Sequence, residues 1–147
     1  MAKVVGVVRF FSIVLFLGIL GMIYAYLPVK VQLLPEGDLQ VDRATFFYGT
    51  ASLFLIVNIV FVVITRTLEK SLRRVSENLF AWLKAGSPVL NVYITLLVGF
   101  IGVINNSVDV SPSSYAYLNF LGPIIVLTWI GGLLYLVFKA KGVPTEG

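Results

Sequence analysis

Residues 66–82, RTLEKSLRRVSENLFAW, hold four of the chain's eleven basic residues and lie between two stretches that carry no charge. Leu68, Leu72, Val75, Leu79 and Leu83 recur at spacings of four, three, four and four, which places them on one helical face. Glu69, Arg73 and Glu77 follow one another four apart on the other side, where alternating charge supports a helix. Phe80 and Trp82 widen the apolar side. Gly86 then reads as a stop, Ser87 as the cap of the next helix and Pro88 as its first residue. The spacing predicts an amphipathic helix over 66–85. A basic helix of this kind suits the surface of a membrane, and the same face would fit a groove on a partner protein. Lys70, Arg73, Arg74, Trp82 and Lys84 are the residues expected to meet anionic lipid head groups or that partner.

The flanking oil decides between water and lipid. The chain is 147 residues long, 59% hydrophobic and 12% charged, whereas a soluble domain is about 45–50% apolar and about 25% charged. A core of this size cannot cover so much apolar surface, so the excess is expected to face lipid. Four runs approach the roughly 20 apolar residues that cross a bilayer: about 4–27, 45–64, 89–104 and 115–138. The last three hold no charge, and the first holds Arg9, whose stem can run along the helix while its head reaches the interface.

The cations orient these spans. Lys3, Arg9, Arg66, Lys70, Arg73, Arg74, Lys84, Lys139 and Lys141, nine of the eleven, fall on one side, against Lys30 and Arg43 on the other. Basic residues in short loops mark the cytoplasmic side. Both termini and the 66–85 helix are therefore expected in the cytoplasm. The fold class expected is an all-α integral membrane protein, a single domain of four transmembrane helices.

The outer connection, residues 28–44, alternates Val29, Val31 and Leu33 with Lys30 and Gln32, then Leu39 and Val41 with Gln40 and Asp42. Period-two alternation around Pro35-Glu36-Gly37-Asp38 predicts a short β-hairpin. A lone hairpin is marginal in water, so it is expected to rest on the bundle. Asp42 stands where a carboxylate can cap the next helix, and Ser111 before Pro112 reads as the cap of the fourth.

Several chemistries are excluded. The chain has no cysteine and no histidine, which removes thiol catalysis, thiolate metal sites and imidazole chemistry. Proton-coupled pumps carry ionisable groups at membrane depth, and the second to fourth spans have none. No nucleophile–base pair, carboxylate dyad or phosphate loop is present, so the expectation is a protein that is not an enzyme and carries no catalytic residue, cofactor or metal. The basic residues lie beside apolar spans, which argues for lipid and against nucleic acid as their partner. Asn58, Asn91 and Asn119 are read as interhelical polar contacts.

The stretch 27–38, LPVKVQLLPEGD, followed by the span at 45–65, resembles the short membrane domain that accompanies SdpI-type bacterial immunity proteins. That family has a helix, an outer loop beginning Leu-Pro with a Gly-x-x-Asp turn, and a second helix. The resemblance covers about residues 20–65 and implies a bacterial inner membrane protein. The family's loop typically holds a histidine, which this chain lacks, and no functional residue is carried over. The expected function is a non-catalytic accessory or structural subunit of a larger inner-membrane complex. The alternatives are a stand-alone immunity or envelope-stress protein and a small-molecule channel or carrier.

Overall fold

A computed structural model describes residues 2–35, 38–106, 115 and 117–141, leaving aside the side chains of 2, 3, 73–75, 119 and 141. The elements run α1 (Ala2–Tyr26), β1 (Lys30–Gln32), β2 (Gln40–Asp42), α2 (Arg43–Val75), α3 (Glu77–Ile104) and α4 (Tyr117–Lys141). The four helices are each long and apolar enough to cross a membrane. Ser111 and its neighbours lie outside the described residues.

The greatest departure from the sequence reading falls on the opening stretch. Residues 66–85 do not form one helix. They are the end of α2 and the start of α3, which meet at Ser76. Ser76 is extended (φ −166°, ψ 124°), its N–H donates to the Leu72 carbonyl at 2.8 Å, and its Oγ accepts from the Leu79 N–H at 3.3 Å. One residue thus closes α2 and caps α3, with Glu77 favourably placed at the positive end of the new helix dipole. The apolar spacing continues through Ser76 unbroken, so periodicity alone could not show the break. Gly86, Ser87 and Pro88 are likewise interior to α3 rather than a stop, a cap and a start. Pro88 stands about three turns into α3, where a packed bundle tolerates a proline.

Directions follow from paired contacts. Asn58 meets Asn91 while Phe61 lies against Gly86, so α2 and α3 run antiparallel. Ser12 meets Asn91, and Ile23 and Tyr26 lie against Gly102, so α1 is parallel to α3. Trp82 lies on Gly132 and Tyr93 on Gly122, which makes α4 antiparallel to α3. The start of α1, the Ser76 turn and the end of α4 therefore share one end of the bundle, and the hairpin occupies the other.

α3 is the central helix. Within its span 44% is buried, against 17, 11 and 6% for α1, α2 and α4, and it packs along all three. Small residues make this possible: Gly132 under Trp82 and Gly122 under Tyr93 leave no room for a Cβ. Trp82 Nε1 donates to the Trp129 carbonyl (2.8 Å) and Trp129 Nε1 to the Trp82 carbonyl (2.9 Å), a reciprocal clamp between α3 and α4. Trp82 therefore joins two helices of the bundle while its ring stays partly exposed.

The antiparallel hairpin pairs Lys30 with Asp42, Val31 with Val41 and Gln32 with Gln40. Asp42 is the residue before α2 but makes no side-chain cap; its carboxylate pairs with Lys30 Nζ across the strands at 2.9 Å. The hairpin rests on the bundle. Val31 is fully buried in a core with Phe16, Leu20, Ile23, Leu27, Phe46 and Phe54. Asn105, at the end of α3, donates Nδ2 to the Gln32 carbonyl and accepts from the Gln32 N–H, both at 2.8 Å. Its amide thus acts as one further rung on β1. Asn105→Leu is expected to orphan both Gln32 groups, cost about 1–3 kcal/mol and raise hydrogen–deuterium exchange across 30–42 while the helices stay protected. Unchanged exchange there would show that Val31 alone holds the hairpin.

Candidate functional site

The inward faces are periodic. On α1 they read Ser12, Phe16, Leu20 and Ile23; on α2, Phe54, Asn58 and Thr65; on α3, Ser87, Asn91, Thr95 and Val98. Spacings of three, four and seven stack these side chains along single helix faces. At the hairpin end the stripes are apolar, with the Phe16 and Phe54 rings stacked at 3.7 Å. Toward the basic end they turn polar together, and the three helices meet in one network.

Its centre is an amide pair. Asn58 Nδ2 donates to Asn91 Oδ1 (2.7 Å), and Asn91 Nδ2 donates back to Asn58 Oδ1 (3.3 Å). The second hydrogens go to the Phe54 carbonyl (3.0 Å) and to Ser12 Oγ (2.9 Å). Ser12 in turn donates to the Arg9 carbonyl at 2.7 Å. Ser87 Oγ also donates to Asn58 Oδ1 (3.0 Å), and Arg9 Nη2 approaches Asn58 Oδ1 and its carbonyl at 3.4 and 3.5 Å. Thr95 and Thr65 bond carbonyls one turn back on their own helices. Among the described residues no buried side-chain polar atom lacks a partner.

Beside this network a cavity of about 130 Å³ opens between α1, α2 and α3, lined by Arg9, Thr65, Lys84 and Ser87 with Val5, Gly6 and Phe61. Lys84 Nζ sits 5.0 Å from the centre of the Phe80 ring, within cation–π range. Arg9 does not simply reach out to the interface, as its place in the first span implied. It bends toward Asn58. The signal for this was available, since Arg9 is three residues before Ser12 on the inward stripe.

The residues singled out from sequence separate into groups. Asn58 and Asn91 are brought together, whereas the Asn119 side chain lies outside the described residues. Trp82 clamps α4, Lys84 lines the cavity, and Lys70 is exposed on α2. The side chains of Arg73 and Arg74 lie outside the description. Ser87 and Arg9 join the site without having been assigned to it, Ser87 because the Gly-Ser-Pro run resembled a helix boundary. Comparison with family models, with curated proteins and with solved structures gives no match.

The network is a fastener for three helices. Interhelical hydrogen bonds in membranes contribute about 0.6 kcal/mol on average, but an orphaned buried partner costs about 1–3 kcal/mol. Asn58→Leu strips Asn91, Ser87 and Arg9 of a shared acceptor, and a loss in that range is expected in mixed-micelle unfolding. Asn58→Leu combined with Asn91→Leu should lose less than the two singles added, by about 0.6–1.7 kcal/mol. Strictly additive losses would mean that the amides act separately.

Proposed function

We propose that the protein is a multi-pass protein of a bacterial inner membrane and serves as a non-catalytic helical subunit of a larger membrane complex. Its termini and the Ser76 turn face the cytoplasm in this reading, because the basic residues gather at that end. The observation that carries the subunit role is where the polar side chains go. Ser12, Asn58, Ser87 and Asn91 are consumed in joining α1, α2 and α3, so these groups act in packing. The apolar residues Phe120, Leu127, Leu134 and Phe138 remain exposed on α4, and α4 packs chiefly on α3. That helix has most of its surface left for lipid and for a neighbouring protein.

The resemblance to SdpI-type proteins supports a second reading, an immunity or envelope-stress protein acting through the hairpin. Its favouring observation is that Asn105 and Val31 hold the hairpin in one position, with Val29, Leu34 and Leu39 exposed on it. A preorganised outer surface is what recognition of a partner needs.

The chain lacks cysteine, so single engineered thiols report topology without background. A membrane-impermeant maleimide is expected to label Asp38→Cys in intact cells and Lys70→Cys only after lysis. Labelling of both from the same side removes the orientation. Purification of the tagged chain in mild detergent should retain partner membrane proteins in fixed proportion. A monomer free of them, together with a deletion strain sensitive to envelope stress, would favour the second reading.

A further inference from the structure

We propose that the cleft at the basic end of the bundle binds one anionic phospholipid, its phosphate between Arg9 and Lys84 and an acyl chain in the adjoining apolar groove. The proposal rests on the membrane reading above and adds a ligand to it. Two cavities carry it. The first is the 130 Å³ space lined by Arg9, Lys84, Thr65 and Ser87, about four times the roughly 30 Å³ that a water occupies in the liquid, and so of a size for a phosphate group. The second is a groove of about 560 Å³ between α1, α3 and α4, lined by Val5, Ala81, Trp82, Gly132, Tyr135 and Leu136 among others. Val5 borders both, so a polar pocket opens beside an apolar trough along one helix.

Among the described residues no carboxylate faces the cations of the pocket. The described ion pair, Lys30 with Asp42, is at the opposite end of the molecule, and neither Arg9 nor Lys84 has a carboxylate partner among the described residues. A guanidinium has five donors, and Arg9 engages Asn58 through Nη2 alone, at 3.4 and 3.5 Å. Thr65 and Ser87 direct their hydrogens to the Phe61 carbonyl and to Asn58, which leaves the two cations as the donors to an incoming anion. Cations held at the margin of the hydrocarbon are costly without a counter-charge, and basic pockets between spans on the cytoplasmic side take lipid head groups. Two cations favour a lipid whose phosphate is not already neutralised by its own amine. A free phosphate shares the head-group chemistry but has nothing to place in the groove.

Trp82 lines that groove and supplies the readout. The full chain is reconstituted in phosphatidylcholine nanodiscs, with a small mole fraction of either phosphatidylglycerol or phosphatidylcholine carrying brominated chains, and tryptophan quenching is followed. Brominated phosphatidylglycerol should quench at clearly lower mole fraction. Lys84→Gln should lower that preference about fivefold, and Arg9→Gln with Lys84→Gln should abolish it. Where the Arg9 variant fails to fold, Lys84→Glu supplies the second point: set against Arg9 it leaves the pocket without net charge and should abolish the preference. Equal quenching by both lipids in the unaltered protein, or a preference that survives the Lys84 substitutions, overturns the proposal. So does loss of the preference on adding inorganic phosphate in ionic-strength-matched buffer, which would assign the pocket to a free anion. A chain absent from the nanodisc fraction would remove the membrane reading and this site with it.

Discussion

Two amides, Asn58 and Asn91, exchange hydrogen bonds midway along helices apolar enough to cross a membrane. Leucine against leucine is no better inside a lipid-embedded bundle than leucine against an acyl chain, so apolar contacts alone specify helix rotation and register weakly. An amide that must find a partner specifies both. Asn58 fixes which face of α2 meets α3, Asn91 returns the bond, and the link to Ser12 brings α1 to the same level. The stacked Phe16 and Phe54 rings can then lie at 3.7 Å, because the helices bearing them are already aligned. Packing here follows from polar satisfaction.

The central position of α3 follows from the same logic. A helix surrounded by three others needs small or polar side chains where they approach, and α3 supplies Gly86, Ser87, Asn91, Thr95 and Gly102 along its length. Phe61 and Trp129 would both collide with a Cβ at Gly86. The outer helices need no such pattern. They carry bulky apolar residues nearly all round, as a helix facing lipid does, and each keeps a narrow inward stripe.

That division sets what could be read in advance. The number of long apolar helices, their character and the presence of a hairpin were legible because each rests on composition or short-range periodicity. The junction at Ser76 was not, since a single extended residue leaves the spacing of Leu72, Val75, Leu79 and Leu83 intact. Asp42 was a plausible cap from its position, yet Lys30 lies opposite it only once the strands pair. The Trp82–Trp129 clamp and the fit of aromatic rings over Gly122 and Gly132 depend on which helices become neighbours. No local pattern contains that. Asn58 and Asn91 stood out as polar residues in oil, but Arg9 and Ser87 were each given a local role that the tertiary structure overrides.

The network also divides the bundle along its axis. On its basic side lies an open pocket with two cations; on its hairpin side lie Phe16, Phe54, Leu20, Ile23, Ile94 and Val98 in one buried apolar cluster. A solute passing along the bundle would have to part the Asn58–Asn91 pair, orphan Ser12 and Ser87, and then separate two stacked rings. Each step removes an interaction that holds the helices in register. The pocket lies on the basic side of those contacts. It can hold the proposed ligand, and the apolar groove beside it gives that ligand somewhere to put a tail.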